Sequence, residues 1–348
     1  MRIPGLLIAL TLAVPAGAWD AHGHRLITYL ALDGLSADVG WLREPAARHR
    51  VAFQSSEADR WRGLRSEVLG HVNSPDHYLD AELMEEFGLT LETLPRLRNE
   101  YLRAMIISKH EHPERVSPYD VAKDPDRSKE WPGFALHAIA ERYAKLRSAL
   151  RQVRILEQLD DPARAPQLVQ SRENAIYHMG MLSHFVGDLA QPLHTTRHFN
   201  GWVGENPEGY TTDRRFHAYI DGGALTHHGL TYATIKPLVR YTIEVDAKDP
   251  WDDVLTYFRR SFALVEPLYR LERDAQLKQQ PGKELISERL ADASAMLAAL
   301  YNAAWASSVP TEKDVADFIY YDGYNPDDLP DPPGGARQPS APAAGESR

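Results

Sequence analysis

The 348-residue sequence contains no cysteine. That absence excludes disulfides, thiolate zinc sites, iron–sulfur clusters and cysteine nucleophiles together. Positive charge is also short: 39 Lys and Arg stand against 49 Asp and Glu, a formal net charge of −10. A protein that coats nucleic acid regardless of sequence needs a broad basic face, so composition argues against that class. Long apolar runs are missing beyond the extreme N-terminus, and mean hydropathy is −0.44, which excludes a multi-span membrane protein. The 43% apolar and 25% charged residues are the balance of a globular protein with a sizeable core. With cysteine gone, the 15 histidines become the residues of most chemical interest.

The N-terminus reads as a targeting segment. Arg2 supplies the positive end, 6–14 an apolar stretch too short to span a bilayer, and Ala16-Gly17-Ala18 a small-x-small cleavage site. A signal peptide over 1–18 predicts a secreted or periplasmic protein of 348 − 18 = 330 residues that starts at Trp19. An exported chain without cysteine needs a sufficient core or another staple, and bound metal is one.

Most of the remainder reads helical. Leu26, Ile27, Leu30 and Ala31 form an apolar stripe. Residues 134–159 are long and amphipathic, with Leu136, Ile139, Tyr143, Leu146 and Leu150 on one face. Segments 175–189, 251–271 and 284–305 are further helical runs, and alternating strand patterns are scarce. The expectation is an all-α fold: a single, mainly helical domain over 19–324, followed by a disordered Pro/Gly-rich tail over 325–348.

Within this frame, polar residues recur at ligand-like spacing. His24 lies five residues after Trp19, whose α-amino group becomes free on cleavage; amine and imidazole are both competent zinc donors. Asp59 precedes Arg62 by one helical turn, and His77 sits in Asp76-His77-Tyr78-Leu79-Asp80. Taken singly, these are the patterns of a solvated terminus, a surface ion pair and a core histidine. His184-Phe185-Val186-Gly187-Asp188-Leu189-Ala190-Gln191-Pro192-Leu193-His194 is more specific. His184 and Asp188 share one helical face inside an apolar run, where bare polar groups are costly, and Pro192 ends the helix so that His194 turns back. His217 and Asp221 repeat the spacing.

On these residues the chain resembles the exported trinuclear-zinc enzymes. These are the single-strand-specific nucleases of the S-one/P-one type and their cousin, zinc phospholipase C. The resemblance runs in order through Trp19, His24, Asp59, His77, His184, Asp188, His194, His217 and Asp221, and it implies three zinc ions. One would be held by Asp59, His77, His184 and Asp188, and a second by the Trp19 amino nitrogen and carbonyl, His24 and a shared Asp188. The third would take His194, His217 and Asp221. All donors are nitrogen or oxygen, which suits zinc without thiolate. The implied reaction is hydrolysis of single-stranded DNA or RNA to 5′-phosphate products, with 3′-nucleotidase activity. Asp59 would orient the attacking water, Arg62 neutralise the phosphoryl oxygens, Tyr78 stack on a base and Asp80 contact the base edge.

The short Trp19–His24 gap, the terminal ligand Asp221 where phospholipase C carries Glu, and Arg62 favour the nuclease branch. Phospholipid headgroup phosphodiesters are the alternative substrate, and that reading asks for an exposed apolar rim that the sequence does not clearly show. No obligate protein partner is implied. Two segments depart from the family or lie near its site. The stretch 81–174 is longer than the family usually has between these motifs, and it is either a cover for the cleft or plain scaffold. Residues 199–212 read as a loop over the third zinc, with Asn200 and Trp202 as candidate substrate contacts. His22, His110, His112, His198, His227 and His228 read as solvated or structural.

Overall fold

The computed structural model describes residues 19–64 and 66–325. The proposed signal peptide and all but the first residue of the proposed tail lie outside them. The fold is all-α, as the sequence predicts, and among the described residues the only β pairing is one antiparallel bridge, Leu79 to Gly133. The helices are α1 (Ala21–Asp33), α2 (Pro45–Gln54), α3 (Glu57–Gly63), α4 (Glu67–Asn73), α5 (Arg98–Glu111), α6 (Ala135–Leu159) and α7 (Ala165–Ala190). They are followed by α8 (Phe216–Ala218), α9 (Ala224–His228), α10 (Tyr232–Ile235), α11 (Trp251–Phe262), α12 (Val265–Arg273), α13 (Gln280–Ala306) and α14 (Glu312–Asp322).

Helix α7 is the axis of the domain. From Ala175 to Ala190 most of its side chains are buried, the mark of a helix enclosed on all sides. It packs on α6, to which a short turn joins it, and on α2, α13 and α1. Buried hydroxyls fix its rotation. Tyr301 donates to the Met179 carbonyl at 2.7 Å and Tyr257 to the Val186 carbonyl at 2.8 Å, while Thr28 and Ser183 share a 2.7 Å bond. Each is a buried polar group with a partner, worth about 1 kcal/mol net. Together they aim the His184–Asp188 face of α7 at α1 and α3.

The helical runs read from the sequence are present with shifted ends. The run at 175–189 begins ten residues earlier, at Ala165, behind a first-turn proline. The run at 251–271 is broken between Phe262 and Val265 into α11 and α12. The sequence reading did not separate out helix α14, a short helix none of whose side chains is buried.

A candidate metal centre at the floor of a cavity

Five of the anticipated ligands converge at the meeting of α1, α3 and α7. Asp188 lies on α7 with His184 one turn before it; the His184 Nε2 is 3.5 Å from Asp188 Oδ2. Across the helix interface, His24 Nε2 lies 3.3 Å from Asp188 Oδ1. The approach depends on Gly187, since a Cβ there would stand 2.9 Å from His24 Nδ1. Asp59 enters from α3, its Oδ1 3.7 Å from His77 Nε2. The donor atoms of His24, Asp59 and His184 lie within 4.8 Å of one another, as do those of His77, His184 and Asp188.

Three further anticipated ligands form a second group, His194, His217 and Asp221, within the same distance of one another. Helix α7 ends at Ala190, Gln191 accepts a bond from the Leu193 N–H, and Pro192 starts a 3-10 turn that carries His194 inward. His194 and His217 face each other through their Nε2 atoms at 2.9 Å. His217 Nε2 is 3.4 Å from Asp221 Oδ2. The repeated His-x-x-x-Asp spacing hides a difference. Asp221 sits in a π-helical turn, Tyr219–Gly223, whereas His184 and Asp188 sit on regular α-helix. Such wide turns often mark functional sites.

Three imidazoles are oriented by backbone carbonyls. His77 Nδ1 donates to Asn73, His184 Nδ1 to Ser55 and His194 Nδ1 to His77, all at 2.7–2.8 Å. This fixes the tautomer, leaving the Nε2 of His77 and of His184 as bare lone pairs facing the cluster, while the Nε2 of His194 faces that of His217. Gln191 does the same for a carboxylate, donating Nε2 to Asp221 Oδ1 at 2.9 Å. Gln191 and the carbonyls of Ser55 and Asn73 were missed as positioning groups. Gln191 stands inside the motif, but nothing in a sequence assigns work to a backbone carbonyl.

The atoms that point inward have no partner. Asp188 Oδ1 and Oδ2, Asp221 Oδ2, Asp59 Oδ1, both His24 ring nitrogens, His77 Nε2 and His184 Nε2 are buried without a hydrogen bond. Unsatisfied buried polar groups cost about 1–3 kcal/mol each, more when charged. These atoms together would consume a sum comparable with the whole 5–15 kcal/mol that stabilises a domain. Burial pushes the Asp188 and Asp221 carboxyls well above the usual carboxylate range, and the neighbouring Asp59 adds to both. Burial likewise drives His24, His77 and His217 well below the usual imidazole range, and His194 down to about 3. Neutral imidazoles beside carboxylates deprived of water are the donor set a divalent cation satisfies, and the cation's charge reverses the penalty on the carboxylates. The buried His/Asp clusters can therefore bind metal ions.

Trp19 is fully buried, and the Asp20 N–H bonds to the Asp221 carbonyl at 3.0 Å. The chain start proposed by the cleavage site is thus tied to the turn that carries the last ligand.

Above the ligands opens a cavity of about 650 Å³. His77, His194 and His217 line it, with Arg62, Tyr78, Asp80 and Asn200. Arg62 Nη1 is 3.5 Å from Asp59 Oδ1, so a guanidinium stands at the mouth of the cluster. Asp80 is buried, and its Oδ1 has no partner. Trp202 does not line this cavity; it stacks on His198 at 3.8 Å and packs against Tyr210 and Tyr269. His227 and His228 bond to the carbonyls of Lys278 and Leu277, structural roles as expected. Part of the long 81–174 stretch does reach the cleft, because Asp124, Pro125, Asp126, Ser128, Lys129 and Trp131 line it.

No family model matches this chain, and no curated protein matches it.

Proposed function

We propose that this protein is an exported zinc-dependent phosphodiesterase that hydrolyses single-stranded nucleic acid or nucleotides to 5′-phosphate products. The observation that carries the reading is the set of unpartnered Nε2 and carboxylate atoms on the floor of a cavity that also presents Arg62. In this reading three zinc ions would be held, one by Asp59, His77, His184 and Asp188, one by His24, Asp188 and the amino terminus at Trp19, and one by His194, His217 and Asp221. Bound zinc supplies an acidified water and electrostatic stabilisation of phosphate oxygens. The chain supplies the rest. Arg62 donates to the phosphoryl oxygens as charge builds on them. Asp59 accepts a hydrogen bond from the attacking water, and the half-buried Tyr78 and the unpartnered Asp80 oxygen receive the base.

One observation favours phospholipid as the substrate instead. Leu64, Val68 and Val72 are exposed apolar side chains beside the cavity-lining Ser66, Glu67 and Gly70, the kind of rim a lipid enzyme needs. The deciding experiment is hydrolysis of denatured DNA and of phosphatidylcholine, side by side, by protein beginning at Trp19, with and without chelator. Chelator-sensitive DNA cleavage with inert lipid is the expected result. Chelator-sensitive lipid cleavage with inert DNA transfers the function to phospholipase C. A single Met added before Trp19 is expected to displace the amino ligand and lower the rate; an unchanged rate refutes that ligand.

A further inference from the structure

The inserted segment 124–131 spans the cavity from one wall to its base-binding side. On the α4 side, His71 Nδ1 bonds the carbonyls of Asp126 and Arg127 at 3.1 and 3.2 Å. The contact is close enough that a methyl at Gly70 would overlap the Asp126 side chain. On the other side, the Tyr78 hydroxyl donates to the Ser128 carbonyl at 2.9 Å, and just beyond, the Asp80 N–H bonds the Pro132 carbonyl at 2.7 Å. The segment is also braced internally, with Asp124 Oδ2 accepting from the Lys129 N–H and the Tyr119 hydroxyl, both at 2.8 Å. It is a fixed strap, tied at both ends across the space beyond Tyr78.

Its charge has the wrong sign for a long nucleic acid. A channel that tracks a polyanion lines it with Lys and Arg. Here the basic side chains lining the cavity are Arg62 and Lys129, against the carboxylates of Glu67, Asp124 and Asp126 and the buried carboxyl of Asp80, which burial pushes well above its usual range. Asp80, Asp124 and Asp126 crowd around Tyr78, whose phenol is pushed well above its usual range by burial and then by these three carboxylates. Asp80, though buried, aims an unpartnered oxygen at the same end of the cavity. The cavity is therefore polar in a directional sense. Phosphate is welcome at Arg62 and the ligand clusters, and a further phosphate beyond Tyr78 meets both the strap and negative charge. Its volume is that of a pocket enclosing one small ligand.

We infer that segment 124–131 confines this site to short or terminal phosphoesters, such as a 3′-nucleotide, a dinucleotide or the end of a strand, and excludes internal bonds of a long strand. The inference rests on the nucleic-acid reading above. It makes the insertion a specificity element and the protein an end-acting enzyme.

The test compares a dinucleotide, a linear single-stranded 30-mer and a circular single-stranded DNA, which has no end. Zinc-loaded protein beginning at Trp19 is expected to cut the dinucleotide and shorten the 30-mer to mononucleotides without internal fragments. It should cut the circle about 100-fold more slowly or worse, a discrimination of about 2.7 kcal/mol. His71→Ala frees the strap without touching a ligand or the cavity lining. It is expected to raise cleavage of the circle about tenfold, with the dinucleotide rate held within about twofold. Asp126→Lys, a second route that keeps the strap's length, is expected to speed cutting of the circle and make it more salt-sensitive. Equal cutting of circle and dinucleotide by the unaltered protein, with internal fragments from the 30-mer, overturns the inference and leaves the nuclease reading standing. Inertness toward all three nucleic acids, with phosphatidylcholine cleaved, overturns both.

Discussion

Two buried carboxylates in this molecule have opposite surroundings. Asp76 is nearly buried, and the fold gives it a protein cation: Arg98 Nη1 stands 2.6 Å away, while the same guanidinium's Nε reaches Glu141 at 2.7 Å. Asp188 is wholly buried and pairs with no Lys or Arg, its near neighbours being the imidazoles of His24 and His184, and both its oxygens lack a hydrogen bond. Two buried histidines repeat the contrast. His137 stacks on Tyr101 and donates Nε2 to the Pro95 carbonyl at 2.9 Å, whereas neither ring nitrogen of His24 has a hydrogen-bond partner. The chain satisfies buried charge with its own groups where the role is structural. At the cluster it leaves those atoms without a hydrogen-bond partner, in an arrangement that can bind metal ions. That difference, more than the presence of histidine or aspartate, separates a ligand from a core polar residue.

The sharpest way to break the comparison is to remove the cation. Dialysis against a chelator is expected to abolish hydrolysis and lower Tm by on the order of 10 °C, because a ligand at 1,000-fold its Kd stabilises by about 4 kcal/mol. Calorimetry before and after zinc is returned checks it. An unchanged Tm means that the orphaned atoms are satisfied in some other way.

The next largest effect comes from exchanging the two carboxylates for amides. Asp188→Asn should strip the paired site, so that zinc per chain measured by elemental analysis falls from about three to about one, with activity down at least about 10³-fold. Asp76→Asn should keep its zinc and its rate and lose at most about 1 kcal/mol, because Arg98 keeps Glu141 and burial already pushes the Asp76 carboxyl above its usual range. Full zinc content in Asp188→Asn would falsify the shared-ligand role.

The histidine pair gives an effect that appears only on acidification. Burial lowers His137 to about 4, partly offset by its bond to Pro95. The unfolded chain therefore binds a proton that the folded chain refuses between about pH 6.5 and 4, and stability falls as pH falls through that window. The loss is about 3 kcal/mol at about 1.4 kcal/mol per unit. Denaturant melts at pH 6.5 and pH 4.5 should show less acid sensitivity in His137→Gln than in the parent. An identical slope would assign the acid lability elsewhere.

Much of the site was legible in the sequence. The spacing of His184 and Asp188 places both on one face of a helix whatever surrounds it, and Pro192 stops that helix for a covalent reason. The repeated spacing of His217 and Asp221 also brings the two together, but the π-helical turn that carries Asp221 is selected by packing and leaves no mark on i, i+4 spacing. Residues 81–174 could be read as long and charged, but not as placing 124–131 at the cavity. That placement depends on hydrogen bonds from His71 and Tyr78 to backbone carbonyls more than fifty positions and fifty positions away.

What the sequence determined by itself was chemical type and local geometry: helices from apolar periodicity, donors limited to nitrogen and oxygen by the lack of cysteine, and ligands one turn apart. Only the tertiary structure decided which donors meet, which ring nitrogens are left bare, and which wall closes over them. The physical reason is range. Helical periodicity and proline act over a few residues through the backbone, whereas burial, desolvation and the satisfaction of a polar atom are set by whatever the folded chain brings alongside it.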